Sequence, residues 1–160
     1  MDEDQQHRAI RLFKEAYDLQ MKGELDVAVK LYKESIENYP TAEAYTFLGW
    51  TYSFMGRLDD AIEECHRAIE IDPTFGNPYN DIGAYLLQKG EPDDAIPWLE
   101  KALRAPRYAS YYFAHMNLGR AYETKRDWLR AKSQYQKALD MEPQYRPAAQ
   151  GLARIRGLLN

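Results

Sequence analysis

Leu48-Gly49-Trp50-Thr51-Tyr52 recurs as Ile82-Gly83-Ala84-Tyr85-Leu86 and again as Leu118-Gly119-Arg120-Ala121-Tyr122, so its glycines stand 34 and 36 residues apart. A second marker keeps step. Ala28, Ala61, Ala95 and Ala131 follow one another at 33, 34 and 36 residues, and four positions after them come Tyr32, Cys65, Leu99 and Tyr135. Pro40, Pro73 and Pro143 close successive frames. A fixed period of this length marks one supersecondary unit used repeatedly, because a unit too small to bury its own apolar face buries it against the next copy.

Between the markers the apolar residues fall at helical spacing, as in Val27, Leu31 and Ile36 or Ile62, Cys65 and Ile69, so each frame contains buried helical stripes. Small residues on paired helices allow close axes, where larger side chains would wedge the pair open. Gly23, Gly56 and Gly90 fall where a first helix must stop, and Asp26, Asp59 and Asp93 then favour the next helix N-terminus through its dipole. Each frame therefore reads as helix, tight turn, helix. Three irregularities are expected. Arg126 replaces the turn glycine and predicts a left-handed non-glycine residue. Pro97, inside a second helix that begins near Pro92, predicts a bend. The stretch from Arg104 to Tyr111 lengthens its frame by two residues and predicts a bulge out of the stack.

A small residue at the eighth place (Ala16, Gly49, Gly83, Gly119), alanine at the twentieth and a closing proline together resemble the tetratricopeptide repeat over nearly the whole chain. The resemblance implies an all-α fold, a right-handed superhelix forming a single domain over residues 1–160. Its units lie at 9–41, 42–75, 76–111 and 112–145, behind a polar leader from Met1 to Arg8, and a capping helix covers 146–158. It further implies a non-catalytic module binding a peptide or helix in a concave groove lined by the first helices. At the family's groove positions the chain places Phe13, Tyr17, Thr46, Trp50, Phe54, Asn77, Asn80, Leu87, Met116 and Arg120, with Asn117 close by. Trp50 is expected to anchor an apolar side chain, and Asn80, Asn117 and Arg120 to hold backbone or an acidic group. A competing expectation is that Phe13, Tyr17 and Phe54 merely pack between units.

Family members that hold the acidic tail of heat-shock chaperones use Lys, Asn and Arg at five places. Here those places carry Phe13, Tyr17, Phe47, Asn77 and Asp81, or one unit along Thr46, Trp50, Asp81, Phe113 and Asn117. Without a lysine, and with Asp81 repelling, that ligand is not expected.

Composition narrows the classes further. Of 160 residues 45% are apolar and 29% charged, enough apolar surface for a core. The net charge of −4 is lopsided: residues 1–80 hold 8 basic and 16 acidic side chains, and 81–160 hold 13 and 9. No apolar run approaches the roughly 20 residues of a membrane span, and the acidic start Met1-Asp2-Glu3-Asp4 is unlike a signal peptide. With Cys65 as the lone cysteine, a reducing, cytoplasmic setting is expected.

His7, His66 and His115 lack a second ligand at helix-face spacing, so no metal is expected. Cys65 and His66 are sequence neighbours and point about 100° apart on a helix, so Cys65 reads as core. Asp59-Asp60, Glu63-Glu64 and Asp93-Asp94 read as helix starts and solvated faces, and no phosphate loop or nucleophile elbow occurs. The basic cluster Lys125, Arg126, Arg130 and Lys132, interrupted by Asp127, reads as a solvated face. The expectations are no catalysis, no cofactor and no nucleic-acid, membrane or small-molecule ligand. A protein or peptide partner is expected for a monomer. The alternative is a self-associating scaffold or an accessory subunit of a larger complex.

Overall fold

The computed structural model describes residues 2–160. Among the described residues nine α-helices follow one another: α1 Asp2–Met21, α2 Leu25–Asn38, α3 Ala42–Phe54, α4 Leu58–Ile71, α5 Asn77–Gln88, α6 Pro92–Arg104, α7 Tyr111–Thr124, α8 Trp128–Met141 and α9 Arg146–Leu159. No β-strand occurs among them. The polar stretch expected as a leader is already helical from Asp2, so α1 runs well ahead of Ala9; Met1 lies outside the described residues.

The chain divides into two compact units, one ending at Pro78 and the other beginning at Tyr79. In the first, α1 packs on α2, α2 on α3 and α3 on α4. In the second, α6 packs on α7, α7 on α8, and α9 lies across both α7 and α8.

The hairpin turns repeat one hydrogen-bond pattern. Glu24, Arg57, Glu91 and Asp127 donate their backbone N–H to the carbonyls of Leu19, Tyr52, Leu86 and Tyr122, each at 2.9 Å. Such a bond spans a residue in the left-handed region, which is Gly23, Gly56, Gly90 and, in the fourth turn, Arg126 at φ 61°. The arginine thus accepts the strained solution its sequence position implied.

Within each hairpin a large side chain of the second helix lies over a small residue of the first. Tyr32, Leu99 and Tyr135 are fully buried. A Cβ built on Gly119 would stand 2.6 Å from the Tyr135 ring, and one built on Gly83 would run into Leu99. Under Cys65 the smaller thiol lets the backbones close further, so that a Cβ on Gly49 would meet the Ala61 carbonyl at 2.9 Å. Tyr135 has glycine on a second side as well: a Cβ on Gly151 of α9 would also strike its ring. The capping helix is thus seated on α8 by the same notch that seats α8 on α7.

Pro97 is exposed and α6 continues through it to Arg104. The extra residues after Arg104 do not bulge away. Ala105 and Tyr108 are buried, in a core cluster with Ala102 and Ala114, and the Tyr111 hydroxyl donates to the Ala105 carbonyl at 2.7 Å. The insertion carries apolar side chains that gain more by burial than by solvation.

Two variants test these constraints. Arg126→Gly removes a left-handed penalty of about 1–2 kcal/mol at an entropic cost of about 0.5–1, so thermal unfolding should shift upward by a few degrees. Gly151→Ala overpacks Tyr135 and should destabilise by about 1–3 kcal/mol in denaturant titration.

Candidate functional site

The candidate residues lie on first-helix faces, and each unit has a face of its own. In the first unit α1 and α3 touch, and Phe47 is the hub of a ladder of rings. It meets Phe13 edge-on at 5.2 Å, Tyr17 at 5.8 Å and Trp50 at 5.8 Å, and stacks toward Tyr32 at 6.4 Å. Trp50 in turn tilts against Phe54 at 5.0 Å. Edge-to-face pairs contribute about 0.5–1.5 kcal/mol each beyond area burial, so the ladder holds its outer rings in place. Phe13 and Trp50 are half-buried, whereas Tyr17 and Phe54 are 40% and 56% exposed, beside Ile10 at 52% and Met21 at 49%.

Polar groups in this wall are already engaged. Thr46, expected to face the groove, is buried by α3's packing and donates its hydroxyl to the Ala42 carbonyl at 2.7 Å. Ser53 donates to Trp50 and Thr51 to Phe47. Gln20 is buried, its amide oxygen taking the Tyr32 hydroxyl at 2.7 Å. Toward the start of α1 a mostly apolar pocket of about 420 Å³ opens among Ala9, Ile10, Phe13, Tyr39 and Glu43. Phe47, the hub, was not among the candidate wall residues. The signal for it was the spacing Phe47, Trp50, Phe54, one stripe of a helix.

The second unit is polar where the first is aromatic. Asn117 and Asn80 are buried, and the Asn117 amide donates to Asn80 Oδ1 at 3.0 Å. Asn117, Ala84, Leu87, Gln88 and Arg120 line a pocket of about 470 Å³ closed by Glu123 and Arg154. Arg154 reaches from α9 to donate twice to Glu123, at 3.0 Å each, and the Tyr135 hydroxyl donates to the same carboxylate at 2.6 Å. The Arg154 bonds, with help from Tyr135, hold the Glu123 carboxyl below the usual range. Arg120 remains exposed. Leu87 is half-buried against Ala95, Leu99 and Leu118; Asn77, the first residue of α5 and still part of the first unit, is half-buried.

Met116 does not reach the wall. It is buried with Tyr135, Leu152 and Ile155, because α9 lies over that side of α7. Glu64, expected on a solvated face, is also buried; Arg67 pairs with it and with Glu63. Cys65 is fully buried. Lys125 pairs with Asp93 and Arg130 with Asp127, which partly neutralises the basic cluster. Among the described residues no three His, Cys, Asp or Glu side chains converge as metal ligands would, and no helix is long and apolar enough to cross a membrane.

The tetratricopeptide-repeat family is matched at residues 42–75, 79–105 and 114–145. Small glutamine-rich tetratricopeptide repeat-containing protein 2 of Saccharomyces cerevisiae is 29% identical over 96 residues, covering 55% of this chain and 28% of that protein. The chain thus spans well under half of that relative. The type IV pilus biogenesis factor PilW has a TM-score of 0.86 over 94% of this chain and 69% of its own, at 22% identity. The first tetratricopeptide-repeat domain of RPAP3 (Spaghetti), solved with the HSP90 peptide SRMEEVD, has a TM-score of 0.69 over 74% of this chain and 93% of its own, at 23% identity. The likeness shows an all-α repeat solenoid.

Beside Asn80, burial pushes the Asp81 carboxyl up to about 7, against the opposing Asn80 hydrogen bond. An acid raised above its unfolded value of about 3.9 stays protonated in the folded chain while it ionises in the unfolded one. Stability should therefore fall as pH rises from about 4 to about 7 and level off above. Asp81→Asn should flatten that limb in a series of thermal melts, raising the midpoint at pH 7.5 and leaving it unchanged near pH 4.

Proposed function

The chain belongs to the tetratricopeptide-repeat family, and from that premise we propose that it is a non-catalytic module whose first-helix faces bind a peptide or helix of a partner protein. The observation that carries the reading is the aromatic wall of the first unit. Tyr17 and Phe54 stay exposed on a ladder that fixes Trp50 between Phe47 and Phe54. Aromatic groups held in place beforehand bury large area at little rotamer cost, which is how binding hot spots are built. On the second unit's face Arg120 supplies an exposed positive charge beside Asn117, which lines the same pocket and is held by its bond to the buried Asn80.

The repeat frames 9–41, 42–75, 76–111 and 112–145, with the cap from 146, are the proposed units of this module, and the buried Cys65 suits a reducing, cytoplasmic setting. The chaperone tail held by the RPAP3 domain is not proposed as its ligand, because Phe13, Asn77 and Asp81 stand where the cations of such a site would be needed and Tyr17 and Phe47 where its asparagines would. The peptide SRMEEVD should accordingly give no measurable heat on titration.

Trp50→Ala should weaken retention of the captured partner by about tenfold or more. Leu129→Ala, at a 72% exposed apolar residue on α8 of the second unit, should leave it unchanged. Quantitative affinity capture from lysate, with thermal melts of both variants as folding controls, checks this; equal retention by Trp50→Ala removes Trp50 as anchor. Leu158 and Leu159, 57% and 41% exposed at the end of α9, favour the self-associating alternative. Sedimentation over a concentration series should nevertheless return a monomer.

A further inference from the structure

The aromatic wall of the first unit discriminates between two kinds of occupant. An extended peptide brings unpaired backbone N–H and C=O groups, and each must find a partner or carry a desolvation penalty. The wall offers few. The hydroxyls of Thr46, Thr51 and Ser53 donate to carbonyls of their own helix. Gln20 Oε1 is taken by Tyr32, and its Nε2 lies sealed below the surface. What the wall exposes is mostly apolar, Ile10, Tyr17 and Met21 along α1 with Phe54 beside Trp50 on α3, and Lys14 is the exposed charge on the same stripe. A helix satisfies its own backbone and presents side chains alone, so it is the secondary structure such a wall can accept.

The dimensions agree. Ile10, Tyr17 and Met21 fall on one stripe of α1, whose ends are eleven residue steps or about 16.5 Å apart at about 1.5 Å per step, which is about three turns of a partner helix. The apolar pocket of about 420 Å³ at the Ile10 end has room for one large side chain. Charge then selects among amphipathic helices. The first unit carries 16 acidic against 8 basic side chains; Lys14 and Asp18 offset one another beside the α1 stripe and Glu43 lines the pocket, so the sign is set by the unit as a whole, and a field of that sign draws in a basic partner.

Resting on the binding-module reading above, we infer that the first unit's wall binds an amphipathic helix with apolar anchors three and four residues apart and Lys or Arg along its flanks. The second unit, with its net positive charge and amide groups, is not the seat of this contact.

Calorimetric titration with three 16-residue peptides tests it. One has leucines at helical spacing among lysines and glutamines. The second has the same residues shuffled so that leucines alternate. The third replaces every lysine of the first with glutamate. The first should bind at least about tenfold more tightly than either other. Met21→Ser combined with Phe54→Ser, both at exposed positions, should lower its affinity about tenfold with the melting midpoint retained, and Leu129→Ala, at an exposed residue of the second unit with no assigned role, should leave it unchanged. Equal binding by the alternating peptide, preference for the glutamate peptide, indifference to the double substitution, or no binding at all each overturns the inference. If the alternating peptide binds equally and the double variant abolishes it, the occupant is extended and only this inference fails. If no peptide binds but Trp50→Ala still loses its captured partner, the binding-module reading survives without it. Should that capture also lose nothing, both fall.

Discussion

A large side chain over a missing one is the contact on which this chain depends. Gly119 has no Cβ because the Tyr135 ring occupies that space, and Gly83 lacks one because Leu99 does. Ala16 and Tyr32, both fully buried, hold the corresponding places in the first hairpin. Where Cys65 replaces the bulky residue, the helices close until Gly49 faces the Ala61 carbonyl instead. Interiors pack like crystals of small molecules, so axis separation follows from which side chains are absent as much as from which are present. With the axis separation set in this way, the outward faces of α1, α3 and α7 are set too.

How far this was readable beforehand depended on distance along the chain. The turn at Arg126 was foreseeable, since three glycines at matching places and the geometry of a tight helix reversal leave one backbone solution, and φ 61° is that solution. The hairpin notch was foreseeable as a recurring pair of small and large residues. Contacts that join distant positions were not. Glu123 is one carboxylate among many until α9 places Arg154 upon it, and the same helix takes Met116 out of the wall. The stretch after Arg104 reads as surplus length by counting, yet its Tyr108 and Ala105 are apolar side chains that the neighbouring helices cover. Periodicity tells which stripe of a helix is apolar, and Phe47, Trp50 and Phe54 form such a stripe. It does not tell how much of that stripe a neighbour leaves uncovered, which is why Phe13 turned out half-buried and Phe54 largely exposed.

The two faces differ in the kind of chemistry they offer. On the first unit, rings support rings and the hydroxyls are spent internally, so contact there is a matter of shape and apolar area. On the second, an exposed guanidinium above a buried amide pair offers directional bonds, which discriminate by what is left unpaired when the wrong group arrives. Both follow from the residues that the repeat leaves free to vary, those on the first helix that are not needed for the notch.

Each helix of a repeat array draws its cover from its neighbours. Here α9 cannot lift without uncovering a phenol ring and stripping Glu123 of the guanidinium that neutralises it. Lifting α9 alone therefore costs the burial of Tyr135 and Ile155 as well as one ion pair. Only the final turn, carrying Leu158 and Leu159, is left to breathe on its own.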